Sequence, residues 1–333
     1  MIDVAKAKLE KTLSYERMLT CVRFSPCGTY AVAGSVDARV VRWDLKTGAR
    51  TALEGHRTWV AAVAFLGDRL LSADLQGRLI CRDAWAIEAP HAEWLRALAV
   101  HPDGTRFATG GHDRVARLWS ADGKLVREFA GHKGYVFSLA FHPDGRSLVT
   151  GDLFGTVRHW DLESGKLIRE FDLKVLHSRG EEFLADVGGV RSLAFDAAGK
   201  RLACSGLREA KSNTFCPGLP TVVVLDWETG ERRQLGVKED KVDGAATRVR
   251  FLSDGTVAAT GEGQSQGALW FWKESPDPVH ALSGQSMYDL DIHPDGGRLA
   301  AAVFEAKGRG GNGRHAGRAE YVPNAGAVRL WSL

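Results

Sequence analysis

Residues 95–123 read LRALAVHPDGTRFATGGHDRVARLWSADG, and residues 136–165 repeat the pattern as VFSLAFHPDGRSLVTGDLFGTVRHWDLESG. Each stretch has an alternating apolar run, a Pro-Asp-Gly turn, a second run, a tight turn and a third run that ends in Trp. Similar stretches recur along the chain about every 40–45 residues, a period that is typical of propeller blades. We therefore expect a single repeat fold over the whole chain.

The tryptophan that ends the third run allows the repeats to be counted. Its seven positions are Trp43, Arg82, Trp119, Trp160, Leu225, Trp272 and Trp331, so two repeats carry a substitution. The runs alternate with period two and are rich in β-branched and aromatic residues, which indicates strands. Seven such repeats predict an all-β, seven-bladed β-propeller built of four-stranded antiparallel blades.

Short motifs at the ends of the repeats resemble those of a known family. They are Gly55-His56 and Gly131-His132, which open repeats, and Trp43-Asp44 and Trp160-Asp161, which close them. With these motifs the chain resembles the WD-repeat β-propeller family, which includes G-protein β subunits, over about residues 15–333. The resemblance implies the fold and a role in holding other molecules. It implies little about which molecules those are.

The resemblance also implies how the ring closes. The last repeat ends on its third strand, VRLWSL, at Leu333. In the family, a segment that precedes the first inner strand supplies the outer strand of the last blade. We therefore expect residues 1–13 to complete blade seven and residues 14–333 to form blades one to seven, as one domain over residues 1–333. Closure removes the sheet edges that favour aggregation.

The family often has a hydrogen-bond network inside each blade, formed by a His, a Ser or Thr, an Asp and the Trp. Blade three has all four residues, and blade four has three of them with Phe154 where the Asp is expected. Blade two has Gln76 at that position. The candidate network residues are His91, Thr109, Asp113, Trp119, His132, Thr150 and Trp160. We expect a structural role, because each buried polar group without a partner costs about 1–3 kcal/mol.

No combination of residues predicts catalysis or a metal site. His101, His142 and His293 precede the turns of three different blades, so they are too far apart to share an ion. The glycines after Arg309 are not followed by the Gly-Lys-Ser/Thr of a phosphate-binding loop. We therefore expect no enzyme activity, no catalytic or metal-binding residue and no cofactor.

Composition limits the remaining classes. The net charge of +3 on 333 residues is too small for a dedicated DNA-binding surface. Five cysteines without a CxxC pair indicate reduced thiols and a cytoplasmic location. The N-terminal stretch MIDVAKAKLEKTL lacks the apolar run of a signal peptide or a membrane helix, so no membrane association is expected.

Blades five to seven depart from the repeat. The segments between their second and third strands are longer than in blades one to four, and a further insertion lies near residues 174–187. In the family these loops emerge on one face, called the top. Long loops on a rigid scaffold often bind partners, although neutral drift in loop length also explains them. Our first candidate partner-binding residues are Phe183, Phe215, Lys307, Arg309, Arg314, Arg318 and Tyr321.

A second candidate site consists of Trp59, Trp94 and Tyr135, which occupy one equivalent position where the inner strands of blades two to four begin. Such aromatic residues could anchor a peptide, and packing common to the repeat is the alternative. The leading prediction is a non-enzymatic scaffold that binds a protein or peptide on its top face, as a subunit of an assembly. The alternative is a nucleic-acid-associated subunit that uses the basic Gly/Arg-rich loop of the last blade.

Overall fold

The computed structural model describes residues 2–88, 90–180, 184–211, 218–237, 244–263, 267–305 and 324–333, and the backbone of two strands within residues 313–323. Its strands are numbered in chain order. The first, β1 (Lys8–Tyr15), follows a short 3-10 turn at Val4–Lys6. Seven four-stranded antiparallel sheets confirm the predicted seven-bladed propeller.

The blades are given from the inner to the outer strand. Blades one to three are β2 (Leu19–Phe24), β3 (Tyr30–Ser35), β4 (Val40–Asp44) and β5 (Arg50–Leu53); β6 (Val60–Leu66), β7 (Arg69–Asp74), β8 (Leu79–Cys81) and β9 (Trp85–Ile87); and β10 (Leu95–Val100), β11 (Arg106–Gly111), β12 (Ala116–Ser120) and β13 (Leu125–Phe129). Blade four is β14 (Val136–Phe141), β15 (Ser147–Asp152), β16 (Thr156–Asp161) and β17 (Leu167–Asp172).

A 3-10 turn at Lys174–Leu176 and a two-stranded ribbon of β18 (His177–Arg179) and β19 (Asp186–Gly188) precede blade five. Blades five and six are β20 (Ser192–Phe195), β21 (Arg201–Arg208), β22 (Leu219–Asp226) and β23 (Arg232–Gly236); and β24 (Gly244–Phe251), β25 (Val257–Gly263), β26 (Gly267–Trp272) and β27 (His280–Gly284). Blade seven starts with β28 (Met287–Ile292) and β29 (Arg298–Glu305); a second ribbon, β30 (Gly313–Ala316) and β31 (Glu320–Pro323), precedes β32 (Ala325–Ser332).

The N-terminal strand closes the ring, as predicted. The sheet of blade seven has the order β1-β32-β29-β28, and β1 pairs antiparallel with β32 from Lys8 opposite Ser332 to Tyr15 opposite Gly326. The strand starts later than expected, because residues 4–6 form the 3-10 turn, and it continues two residues beyond Leu13. Leu13 and Tyr15 are buried in a cluster that joins blades seven and one. The first and last strands are therefore part of one hydrophobic interface.

The core lies between neighbouring blades, since each sheet buries both faces. The repeat tryptophans Trp43 and Trp272 are almost completely buried, and Leu225 is equally buried where blade five lacks the tryptophan. Side chains of such size contribute about 1.5–3 kcal/mol each when they leave water. The repeated third-strand position is therefore a packing position between blades where it carries Trp or Leu; Arg82 of blade two is only partly buried there.

Histidines at the bottom turns link one blade to the next. The side-chain Nε2 atoms of His101, His142 and His293 lie 2.8, 3.0 and 2.9 Å from the carbonyl oxygens of Gly145, Gly199 and Gly28, each in the following blade. Gly145 has φ of +71°, and a Cβ there would lie 2.9 Å from the ring of His101. Glycine thus permits both the turn and the contact. The His293 link crosses the closing seam between blades seven and one.

A buried ion cluster joins blades six, seven and one beside the central channel. Asp289 of β28 contacts Arg23 of β2 at 2.7 Å and Arg248 of β24 at 2.5 Å, and it accepts the backbone N–H of Val22 at 2.9 Å. Asp291 lies two residues after Asp289 on β28 and accepts the N–H of Phe24, two residues after Val22, at 2.9 Å. Its carboxylate lies 3.8 Å from the guanidinium of Arg250. The aspartates satisfy inner-edge N–H groups of β2 that have no strand partner.

Among the residues that the structure describes, we find no helix with the length and apolar character needed to cross a bilayer. The longest regular elements in the described ranges are strands of eight residues, such as β21 and β29.

Candidate functional site

The top face is the side on which the inner strands begin and the second strands end. The aromatic residues at this position are fixed by the backbone. The carbonyls of Trp59, Trp94 and Tyr135 accept N–H groups of residues that follow the second strands of their own blades, at 2.9, 2.8 and 3.0 Å. The backbone is held in the same way at three neighbouring blades. The aromatic side chains therefore stand side by side around the channel.

These side chains differ in how much surface remains free. The exposed fraction is 42% for Trp59 and 54% for Trp94, whereas Tyr135 is half-buried and its ring stacks on His112 at 4.1 Å between centroids. The ring of His112 also lies 5.4 Å from that of Trp94. About half of the surface of each tryptophan is thus exposed, and the rest is buried against the protein.

A cavity of about 730 Å³ lies beside Trp59 and Trp94, at the top mouth of the central channel, and Tyr135 is not part of its lining. Its wall includes Trp59, Trp94 and Phe137 together with Arg96, and Tyr288 from blade seven closes the far side. The volume falls in the range of about 300–1,000 Å³ that is usual for small-ligand pockets. A cavity of this size accommodates one or two side chains of a peptide.

β-bulges aim these side chains into the mouth. In six of the inner strands the pairing register shifts by one residue at the same place, and the extra residues are Thr20, Ala61, Arg96, Phe137, Thr247 and Tyr288. All six line the cavity. Bulges commonly redirect side chains beside binding sites. In blade five Arg191, just before β20, takes the corresponding place.

The polar groups of the mouth come from blades three, five, six and seven. Arg191 pairs with Glu262 at 3.2 Å. Burial raises the pKa of Tyr288 to about 12, and the charge of Glu262 adds to this. Burial lowers the pKa of His112 to about 4, and the charge of Arg96 adds to this. At neutral pH both Tyr288 and His112 are therefore uncharged, and the arginines with Glu262 set the charge of the mouth.

The predicted networks lie inside the blades. In blade three the ring nitrogens of His91 lie 2.9 Å from Asp113 and 2.8 Å from Thr109, whose hydroxyl oxygen accepts the Trp119 indole N–H at 2.8 Å. Burial opposes the charge of Asp113, but hydrogen bonds from His91 and Arg117 outweigh it and hold its pKa below the usual value. The side chains satisfy one another and fix the segment that leads to Trp94.

Blade four has the same network, which corrects one expectation. Phe154 stands where an Asp was expected, but Asp152, two residues after Thr150, lies 2.9 Å from His132. Thr150 contacts the His132 ring at 2.6 Å and accepts the Trp160 indole N–H at 2.9 Å. The expectation that blade four lacks the acid is wrong, because a carboxylate at the end of the second strand reaches the same histidine.

The expectation for the acidic residue of blade two is corrected in the same way. Its acid is Asp74 and not residue Gln76, and the ring nitrogens of His56 lie 3.2 Å from Asp74 and 2.8 Å from Ser72. The absent tryptophan at Arg82 does not prevent the pairing of histidine and acid. Three consecutive blades therefore hold their top-face segments by a buried histidine.

The first candidate residues fall on the added segments of blades five to seven. Phe183, Phe215, Lys307, Arg309 and Arg318 lie outside the described residues. Arg314 and Tyr321 lie on the paired strands β30 and β31, where only the backbone is described. The second ribbon and the ribbon β18–β19 lie on chain segments that emerge on the top face. In the first ribbon, His177 and Arg179 contact Asp186 at 2.9 and 2.7 Å. The partner-binding role of the first candidate residues stays a prediction.

Within the described ranges, no group of three or more His, Cys, Asp or Glu side chains could hold a metal ion. The bottom-turn histidines instead bond to backbone carbonyls of the next blade.

Comparison with known proteins agrees with this architecture. A family model described as "WD domain, G-beta repeat" matches residues 8–44, 87–120 and 123–161. These ranges cover β1 with most of blade one, blade three, and blade four without its outer strand, and the repeat tryptophan is intact in all three blades. The chain thus carries WD repeats at these three places, within a seven-bladed propeller. The propeller is 27% identical over 277 residues, 79% of its length, to the guanine nucleotide-binding protein subunit beta of Arabidopsis thaliana.

Two further relatives share shorter regions of this WD-repeat propeller. The human apoptotic protease-activating factor 1 is 27% identical over 59% of the chain, and the mouse F-box-like/WD repeat-containing protein TBL1X is 31% identical over 25% of it. The matched regions cover 61% of the Arabidopsis protein and 16% of each of the other two. These relatives fit a role in protein interaction for this WD-repeat propeller.

Proposed function

We propose that this WD-repeat propeller is a scaffold without chemistry of its own, which holds a protein or peptide on its top face as a subunit of an assembly. The observation that carries the proposal is the mouth cavity, bordered by Trp59 and Trp94 with about half of each indole exposed. Tryptophan and tyrosine dominate the energetic centres of protein interfaces. The name of one relative, guanine nucleotide-binding protein subunit beta, describes a subunit of an assembly.

The hydrogen-bond networks inside the blades support this role and not catalysis. His91, Thr109 and Trp119 are buried and bonded to one another, so neither the imidazole nor the hydroxyl is available to a substrate. A catalytic nucleophile and base need access to the reacting atoms. The networks instead keep the top-face segments in place, which favours a preformed binding surface.

We also propose a cytoplasmic location. Its support is that the described cysteines Cys21, Cys27, Cys81 and Cys204 are free thiols, three of them buried in the core. Reduced cysteines are usual in proteins of that compartment.

The test begins with short random peptides selected by display against the full chain, followed by calorimetry of the tightest peptide. Trp94→Ala is expected to weaken binding about 30-fold, which corresponds to the roughly 2 kcal/mol typical of a central interface tryptophan. The matched control is Leu125→Ala, which removes an exposed apolar side chain from the outer strand of the same blade. Equal affinities of the Trp94→Ala variant and the wild type would refute binding at the mouth.

The nucleic-acid alternative rests on the basic loop of blade seven. A variant with Lys307, Arg309, Arg314 and Arg318 replaced by alanine loses four positive charges. If the loop bound phosphates, the affinity for single-stranded RNA would fall and its dependence on salt would weaken in this variant. We expect no binding of RNA or DNA by the wild-type chain at low salt, which would exclude this alternative.

A further inference from the structure

Arg96 stands out among the groups of the mouth because it forms no ion pair with any described carboxylate. It is the bulged residue of β10 and points into the cavity, where its guanidinium lies 5.8 Å from the centroid of the Phe137 ring. Among the described residues, no carboxylate forms an ion pair with it, whereas Arg191 at the same level is paired with Glu262. With respect to the described residues, one guanidinium fork thus lines the cavity without a hydrogen-bond acceptor of its own.

The surroundings disfavour the charged form of Arg96. More than a third of its surface is accessible, and the residue lines the cavity. Burial and the nearby charge of Arg191 lower the pKa of Arg96, while Glu262 opposes them. An anion that bound to the guanidinium would relieve both effects, because the charged form gains a partner.

The deeper channel has the same sign of charge. Below the mouth, Arg23, Arg248 and Arg250 face Asp289 and Asp291, so positive groups outnumber negative ones by one. At the mouth, Arg96 and Arg191 outnumber Glu262 by one as well. Charges of one sign in a cleft with low-dielectric walls concentrate the field and attract oppositely charged ligands.

The excess of positive charge at the mouth determines the charge of the ligand that fits beside its aromatic residues. An arc of tryptophans also attracts cations through their ring faces, but two arginines in the same cavity repel a second cation. A nucleic acid presents several phosphates at once and needs a row of cations, whereas the described lining of the mouth has one guanidinium without an ion pair and a carboxylate, Glu262. A single carboxylate between apolar groups matches both the charge and the lining.

We propose that the mouth binds an acidic peptide, in which an Asp or Glu side chain enters the cavity and forms a bidentate hydrogen bond with Arg96. Apolar residues on either side of the acid pack against Trp59, Trp94 and Phe137. This inference rests on the proposed function of the top face. Planar guanidinium groups recognise carboxylates in this two-bond geometry, which gives specificity as well as affinity.

The test uses three arrays of short synthetic peptides that are identical except at the centre, which is Glu, Gln or Lys, with Leu, Phe or Trp varied on either side. Binding to the full chain is measured by fluorescence anisotropy. We expect the best Glu peptide to bind at least about tenfold more tightly than its Gln counterpart, as for a hydrogen bond to a charged group. Arg96→Gln should abolish this preference and leave the affinity for the Gln peptide unchanged.

Two control variants and one competitor complete the design. Arg146→Gln removes the same charge from an exposed bottom turn and should keep the preference for Glu. Trp94→Ala should weaken the Glu and Gln peptides alike. A single-stranded oligouridine should not displace the Glu peptide. Displacement that requires Arg96 would overturn the inference in favour of phosphate binding.

The outcomes separate the inference from the proposed function. If the Gln or Lys peptides bind as well as the Glu peptide and still depend on Trp94, the top face binds peptides but the acidic preference is wrong. Retention of the Glu preference by Arg96→Gln would also refute the role of Arg96. If no array binds the wild-type chain, both proposals fail.

Discussion

The isosteric substitution Asp289→Asn tests whether the ion cluster holds the ring together at its closing seam. Asp289 is fully buried and forms ion pairs with Arg23 and Arg248. Its carboxylate also accepts the backbone N–H groups of Val22 and Leu290. The amide keeps the shape of the side chain but removes its charge and turns donor hydrogens toward a guanidinium. Three arginines, Arg23, Arg248 and Arg250, would then face one carboxylate, Asp291.

The expected loss follows from the number of contacts. Removing one partner from a buried, hydrogen-bonded ion pair costs about 3–5 kcal/mol. With an unfolding entropy of about 2.1 cal/mol/K per residue, this loss lowers the melting temperature of a chain of 333 residues by about 4–7 °C. The assay is thermal unfolding followed by circular dichroism at neutral pH, with calorimetry for the enthalpy.

The pH dependence adds a second measurement. Burial opposes ionisation of Asp289, but the charges of Arg23, Arg248 and Arg250 outweigh it and lower its pKa from 3.8 to about 2. A depressed pKa means that the stabilisation is present above 3.8 and is lost as the pH falls toward about 2. The difference in stability between wild type and Asp289→Asn should shrink over this interval.

The control is Glu54→Gln, after the outer strand of blade one, where the carboxylate is exposed and pairs with Arg39 at 3.1 Å. Surface ion pairs contribute about 0–1 kcal/mol, so this variant should melt within about 2 °C of the wild type. Equal melting temperatures for Asp289→Asn and Glu54→Gln would show that the seam does not depend on the buried charges.

Three further perturbations test the ring and its networks. Deletion of residues 1–13 leaves only the last two residues of β1 to pair with β32 and removes Leu13 from the seam, so the melting temperature should fall; an unchanged value would refute closure by β1. Trp119→Ala should cost about 3–5 kcal/mol in chemical denaturation, and a loss below about 1 kcal/mol would contradict its burial. Asp152→Ala should destabilise blade four by about 1–3 kcal/mol, because His132 loses its acceptor, whereas Phe154→Ala should cost less; the reverse order would show that the acid was misassigned.

The fold was predictable because its signal is repeated. Seven copies of one pattern located each third strand even where Arg82 or Leu225 replaces the tryptophan, and the missing outer strand after Leu333 pointed to β1. The acids of blades two and four were missed because the resemblance places the acid in the turn. Asp74 and Asp152 instead lie at the ends of their second strands, at another sequence spacing.

The mouth was only partly predictable. Trp59, Trp94 and Tyr135 occupy one equivalent position of the repeats, which the sequence shows. Arg96 does not stand out, because a bulge interrupts the period-two alternation exactly where the side chain turns into the channel. The pairing of Arg191 with Glu262 joins residues 71 positions apart on two blades, which no local pattern reveals. A comparison of the seven repeats two residues after the position of Trp59, Trp94 and Tyr135 would have shown the set of residues that line the mouth.

The central claim, that the top mouth of the channel is the binding surface, is tested most directly by hydrogen–deuterium exchange of the full chain with and without a display-selected peptide. The account predicts slower exchange in the segments that enter the inner strands of blades two to four, around Trp59, Trp94 and Tyr135, with the bottom turns unchanged. Protection confined to the bottom turns or to the outer strands would contradict it.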